Sequence, residues 1–174
     1  MLLLVLSAFA ADITPEDAAT VADIRNLTVS PDGRVAVYTE RRWDAEKDRR
    51  VGDLWRVATA GGTPERLTFG GTAGWSTAFS ADGAHVYFLR TADGHAQVHR
   101  MSVDGGEVVA VTSASKGVGQ FSLTADGASL WYTTAAEKPR DDAFSGLRGS
   151  HGGLSYGHAP AATTALHRLD LTSW

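Results

Sequence analysis

The chain has 174 residues, 43% of them hydrophobic and 21% charged, with a net charge of −4 and no cysteine. That is the composition of a globular domain of ordinary size. The acidic balance excludes a nucleic-acid binder, which needs clustered Lys and Arg against phosphates; the lack of cysteine excludes a disulfide frame and a thiolate metal site.

In chain order, Leu2 to Leu6 is a short apolar run, and Ala8-Phe9-Ala10 follows as an A-x-A cleavage signal, so residues 1–10 read as a signal peptide that would leave Ala11 first. The basic residues expected ahead of such a run are missing, and an N-terminal core strand is the other reading. No stretch is long enough to cross a bilayer as a helix. In residues 11–26, Thr14 suits a helix cap, Pro15 the first helical position, and Glu16 and Asp17 the positive end, which predicts a short helix to about Asp23.

From Leu27 onward the chain repeats itself. LTVSPDGRVAVYTE (Leu27–Glu40), TAFSADGAHVYFLR (Thr77–Arg90) and FSLTADGASLWYTT (Phe121–Thr134) share one pattern, and their Asp-Gly pairs at 32, 82 and 126 lie 50 and 44 residues apart. In each pair the aspartate can bond its own backbone and the glycine can take positive φ, so the chain turns tightly. The segments between turns are apolar at successive positions, which predicts strands covered on both faces. Four such strands per unit at this period describe a β-propeller blade. The expected fold is therefore all-β, a partial β-propeller of about two and a half to three four-stranded antiparallel blades, with a short N-terminal helix. The blades fall at about 27–70, 76–113 and 120–174. Since propellers close with about four to eight blades, the chain is expected to be a fragment of a longer protein.

Two segments interrupt the repeat. The run Glu40–Arg50 holds five basic and four acidic residues, and reads as a solvated loop between the second and third strands of blade one; a basic patch for a partner is the other reading. The second lies at 135–164, because Arg56 to Arg100 is 44 residues whereas Arg100 to Arg168 is 68. This Gly-, Ser- and His-rich insert is the candidate interaction element, since long surface loops tend to carry function.

No catalytic, cofactor-binding or metal-binding residue is expected. Gly153-Leu154-Ser155-Tyr156-Gly157 fits G-x-S-x-G, but that elbow needs a buried strand before it and a helix after it. Arg148 to His151 and His158-Ala159-Pro160 supply neither, so Ser155 reads as part of a Gly-rich loop. His95 and His99 straddle a turn and the strand after it, without a third ligand, and read as surface or turn histidines. His151 and His158 are weaker candidates for contact with a substrate or ion. Asp141 and Asp142 are adjacent and point apart, against a shared-proton pair. Trp43, Trp55, Tyr87, Phe88, Trp131 and Tyr132 lie mostly in strand runs and read as packing between blades. Gly61-Gly62 and Gly105-Gly106 read as turns.

The S/T-P/A-D-G turn, the strands Asp53-Leu54-Trp55-Arg56-Val57 and Gln97-Val98-His99-Arg100-Met101, the Gly-Gly turn, and then Arg66-Leu67-Thr68 or Val109-Ala110-Val111-Thr112 resemble the TolB-type propeller repeat. The exported start, Ile13-Thr14-Pro15-Glu16-Asp17 ahead of Ser-Pro-Asp-Gly, and Tyr156-Gly157-His158 leading into Leu166-His167-Arg168-Leu169-Asp170 more narrowly resemble the N-terminal propeller of secreted prolyl oligopeptidase-family peptidases, of the acylaminoacyl- and dipeptidyl-peptidase kind. The resemblance implies a periplasmic or secreted, substrate-gating propeller whose partners are its own C-terminal α/β-hydrolase domain and short peptide substrates. The Ser-Asp-His triad of that family comes later in the chain, so no catalytic residue carries over. Two other readings are a non-enzymatic TolB-like periplasmic scaffold and a sensor module joined to a signalling domain.

Overall fold

The computed structural model describes residues 14, 17, 20–71, 73–136 and 163–172. Of the expected helix near 14–23, residues 15, 16, 18 and 19 lie outside them, and it does not reach Asp23: Val21 and Ala22 are not helical and Asp23 opens the first strand. At its start, the Thr14 N–H donates to the Asp17 carboxylate (3.0 Å) and the Asp17 N–H donates to Thr14 Oγ1 (3.1 Å), the reciprocal pattern of a helix cap.

Among the described residues, eleven strands form three antiparallel sheets. The first holds β1 (Asp23–Val29), β2 (Val35–Asp44), β3 (Arg49–Ala58) and β4 (Glu65–Arg66); the second holds β5 (Ala73–Phe79), β6 (His85–Ala92), β7 (His95–Ser102) and β8 (Val109–Ala110). The third holds β9 (Phe121–Leu123), β10 (Ser129–Ala135) and β11 (Thr164–Asp170). Each is a meander in which consecutive strands are neighbours. The fold is all-β, a partial propeller of three blades, the third with three strands among the described residues.

The turn from first to second strand is built identically in every blade. Ser30, Ser80 and Thr124 donate their hydroxyls to Asp32, Asp82 and Asp126 and accept from the N–H of Val35, His85 and Ser129, at 2.9 Å each. The N–H of Arg34, Ala84 and Ala128 donates to the same carboxylates. The glycine after each aspartate has φ near +70° (73°, 72° and 70°), which only glycine adopts cheaply. The hydroxyl first, and then the backbone N–H, holds each of these aspartates below its ordinary pKa. A carboxyl depressed in the folded state contributes stability that is fully present above its unfolded value, and that stability is lost as pH falls through the folded value. The variant Asp32→Asn/Asp82→Asn/Asp126→Asn is therefore expected to lose less of its urea midpoint than the parent between pH 7 and about pH 3. Parallel midpoint shifts in the two proteins would refute this.

The core lies between sheets. Side chains alternate along β6: Val86 and Phe88 pack with Val37, Leu54, Leu67 and Met101, while Tyr87 and Leu89 pack with Val98, Val111, Val118 and Leu130. Because the side-chain period is two, a strand between two sheets is covered at every position, and the successive burial of apolar Val86–Leu89 fits that requirement. Arg56 bridges the first two blades, donating to Glu65 in its own sheet and to Val103 O and Asp104 across the gap. The Gly-Gly turns also form as expected, with φ of 100° and 134° at Gly61 and Gly62 and of 92° and 113° at Gly105 and Gly106.

Three expectations need correction. The charged run is not a loop: β2 extends to Asp44, β3 starts at Arg49, and Asp44 pairs with Arg49 and Trp43 with Arg50 in one long hairpin. Asp44 accepts from the N–H of Glu46 and Lys47, so four residues turn the chain and alternating charges suit the exposed ladder. Of the two histidines expected at the surface or in a turn, His95 is exposed at the start of β7, but His99 is not. His99 is buried and stacked on Phe88 (6.2 Å between centroids), because its register partner in β6 is that phenylalanine. Nor do all the strand aromatics pack between blades: Trp43, next to the hairpin turn, stands 44% exposed.

Candidate functional site

Each sheet runs second strand to third strand through a connection at one shared end, and these connections are residues 45–48, 93–94 and 136–163. The β10–β11 ladder closes with Ala135 opposite Thr164, and the Ala136 N–H donates to Thr163 O at 2.8 Å. The long insert is therefore rooted at the end where the charged hairpin also turns. Residues 137–162, with Asp141, Asp142, His151, Ser155 and His158, lie outside the described residues.

At this end a cleft of about 570 Å³ opens between the first two sheets, lined by Arg25 and Asn26 of β1, Arg41 of β2, Arg49 and Arg50 of β3, and Trp75 of β5. Two β-bulges shape it. Register shifts occur between Arg25 and Thr28 and between Ala73 and Thr77, and Asn26 and Ser76 take φ of +53° and +60°. These are equivalent positions, 50 residues apart like the Asp32 and Asp82 turns. A bulge re-aims the side chains beside it, and Asn26 is tied on both sides. Its Nδ2 donates to Thr39 Oγ1 (3.4 Å), and its carbonyl accepts from Thr77 Oγ1 (2.6 Å).

The arginines converge on the cleft from three strands. Arg25 Nε donates to Asp23 at 2.7 Å, with Arg41 at 3.9 Å from the same carboxylate oxygen, and Arg50 donates to Val21 O at 3.0 Å. Arg25 and Arg41 thus share the Asp23 carboxylate. Gly71 at its edge has φ +69°, and a Cβ there would overlap the Val51 side chain.

A smaller cleft of about 310 Å³ lies between the link at 114–116 and the third sheet, lined in part by Lys116, Tyr132, Thr134 and His167. Tyr132 and His167 stack with centroids 4.9 Å apart, and His167 Nε2 is 2.9 Å from Thr134 Oγ1. His99 is remote in character from either cleft: burial pushes its pKa down, against a smaller opposing effect of the Gln97 carbonyl. Among the described residues no three His, Asp or Glu side chains gather as a metal site would require. No helix among them is long and apolar enough to span a membrane.

Sequence reasoning missed the arginine cleft. Its only local trace was the basic half of the charged run, while Arg25 and Trp75 join it from strands far away in sequence.

No protein-family model matches the chain. Over 124 residues, 71% of its length, it is 28% identical to the "Uncharacterized peptidase YuxL" of Bacillus subtilis. Over 129 residues, 74% of its length, it is 26% identical to dipeptidyl-peptidase 5 of Porphyromonas endodontalis. The chain spans about a fifth (19%) of the length of either relative. Among solved structures, the AtxE2 isopeptidase superposes with a TM-score of 0.70 at 22% identity, over 91% of this chain and 30% of that one. The "putative TolB from Agrobacterium tumefaciens" gives 0.55 at 24% identity, over 70% and 41%. An acylaminoacyl peptidase gives 0.56 at 15% identity, over 70% and 18%. The structural likenesses establish the fold as a TolB-like propeller, and the two sequence relatives the chain resembles are peptidases.

Proposed function

We propose that this chain is part of the substrate-gating propeller of an exported serine peptidase that cleaves short peptides, with an α/β-hydrolase domain on the same polypeptide performing the chemistry. The observation that carries this reading is the peptidase identity of two relatives across most of the chain. Supporting it are apolar residues left exposed on the flanking sheets, where further blades would pack: Ile24, Leu27 and Val29 on β1, and Trp131 and Leu166 on the third sheet. Gating would fall to the end that bears the charged hairpin and the root of the 137–162 insert. Loops held on a rigid scaffold are where such selection resides.

A serine-reactive phosphonate, applied to the complete polypeptide and followed by peptide mapping, is expected to label a serine outside these 174 residues. Labelling of Ser155 would overturn the assignment of catalysis to another domain. The likeness to TolB supports a second reading, a periplasmic scaffold that binds proteins. An absence of both labelling and peptide hydrolysis in the complete polypeptide would favour it.

A further inference from the structure

We propose that Asp93-Gly94, the two-residue turn between β6 and β7, is a self-modification site at which the folded protein forms a succinimide and then isoaspartate, while the fold holds its four other Asp-Gly pairs unreactive. In the first step the Gly94 nitrogen attacks Asp93 Cγ: a C–N bond forms, a carboxyl C–O bond breaks, and water leaves with one proton from the carboxyl and one from the Gly94 N–H. Water then opens the ring at the Asp93 backbone carbonyl, so the chain continues through the side-chain carbon and a free α-carboxylate remains. No reactant beyond water is needed.

Two groups must be free for this attack, the carboxyl and the glycine N–H. In the three turns from first to second strand neither is. The Asp32, Asp82 and Asp126 carboxylates each accept from a hydroxyl and a backbone N–H, and the Gly33, Gly83 and Gly127 N–H groups donate to the carbonyls of Ser30, Ser80 and Thr124 at 2.8–2.9 Å. The same bonds hold these aspartates below their ordinary pKa, which shrinks the protonated fraction that can lose water. At Asp104-Gly105 the carboxylate accepts from Arg56, and the Gly105 N–H donates to Ser102 O at 3.0 Å. Asp93 is exposed and differs on both counts: among the described residues its carboxylate has no hydrogen-bond or ion-pair partner, and the Gly94 N–H has no acceptor. The local sequence does not explain the difference, because Thr91-Ala92-Asp93-Gly94 and Thr124-Ala125-Asp126-Gly127 are the same tetrapeptide. Thr91 is fixed in the ladder opposite Ala96, whereas Thr124 lies outside the strands and turns its hydroxyl onto Asp126. Ala92 pairs with His95, so two residues reverse the chain, both at positive φ (50° and 80°), as the tightest hairpin loops require. Isoaspartate would lengthen that turn by one backbone atom beside Thr91, which lines the larger cleft.

The test keeps the complete polypeptide folded in heavy-oxygen water at near-neutral pH, digests it in ordinary water, and reads the label at each Asp-Gly pair by peptide mapping, since every ring that opens takes one oxygen from the solvent. Asp93 is expected to label about tenfold or more faster than Asp126, a difference of about 1.4 kcal/mol in barrier and the size of the one or two hydrogen bonds that must first break at Asp126. In urea the two identical tetrapeptides should label at the same rate. Thr124→Ala should raise the rate at Asp126 in the folded protein and leave Asp93 unchanged; the rise should stop short of the Asp93 rate, because the Gly127 N–H keeps its acceptor. Equal rates at the two sites in the folded protein, no label at Asp93, or a lead for Asp93 that persists in urea would overturn the proposal.

Discussion

Phe88→Ala is expected to lower the stability of the propeller by about 3–5 kcal/mol, the range for removing a fully enclosed aromatic ring. Phe88 is wholly buried in the middle of β6, where it packs with Val37, Leu54, Val86 and Met101 between the first two sheets and stacks on His99. Strands β5 and β7 flank it within its own sheet, and the hydrogen-bonded ladders prevent the walls from collapsing into the space left behind. The cost therefore combines lost transfer energy with a persistent cavity. Urea unfolding of the complete polypeptide, followed by tryptophan fluorescence, measures it. A loss under about 1 kcal/mol, the size of a change at a partly exposed position, would mean that the two sheets do not share a packed interface.

Asp53→Ala should be the next most damaging change, at about 2–4 kcal/mol. The Asp53 carboxylate is 4% exposed and accepts from the Arg66 guanidinium, the Thr68 hydroxyl (3.1 Å) and the Gly71 N–H (3.2 Å). It thereby straps the two-residue strand β4, and the link leading to blade two, onto β3. A buried ion pair broken from one side costs about 3–5 kcal/mol; the side chain of Arg66 is 39% exposed, so water recovers part of that. Blade two meets the same need without charge. Gln97 accepts from Thr112 Oγ1 (2.8 Å) and the Ala114 N–H (2.9 Å) and donates to Ala114 O (2.7 Å). Asp53→Gln, which copies that solution, is expected to lose clearly less than Asp53→Ala in the same urea experiment. Equal losses would show that the backbone-directed bonds at this position contribute nothing.

The Asp53 and Gln97 straps also show where reading the sequence reaches its limit. Their place in the repeat was visible, since Asp53-Leu54-Trp55-Arg56 and Gln97-Val98-His99-Arg100 occupy the same strand. That two chemically different side chains anchor Thr68 and Thr112 alike was not visible, because the bonds span 14 or 15 residues and depend on strand pairing. His99 tells the same story in reverse. A histidine in the strand after an Asp-Gly turn looks like surface, and only its register opposite Phe88 buries it. The charged run Glu40–Arg50 was misread because its near-cancelling charges signal solvent exposure, and an exposed hairpin ladder satisfies that signal as well as a loop does.

By itself the sequence determined the blades: hydroxyl-x-Asp-Gly turns at 30–33, 80–83 and 124–127, unbroken apolar runs between them, and the repeat that joins them into units. Those signals act within about ten residues, through backbone preference and side-chain bonds to the nearest N–H groups, so they survive without knowledge of distant neighbours. The tertiary structure alone decided the arginine cleft, in which Arg25 and Trp75 meet Arg41, Arg49 and Arg50. Two bulges and the stacking of one sheet on the next bring these residues to the same end of the propeller. Such a meeting is a property of packed sheets, and no local pattern along the chain encodes it.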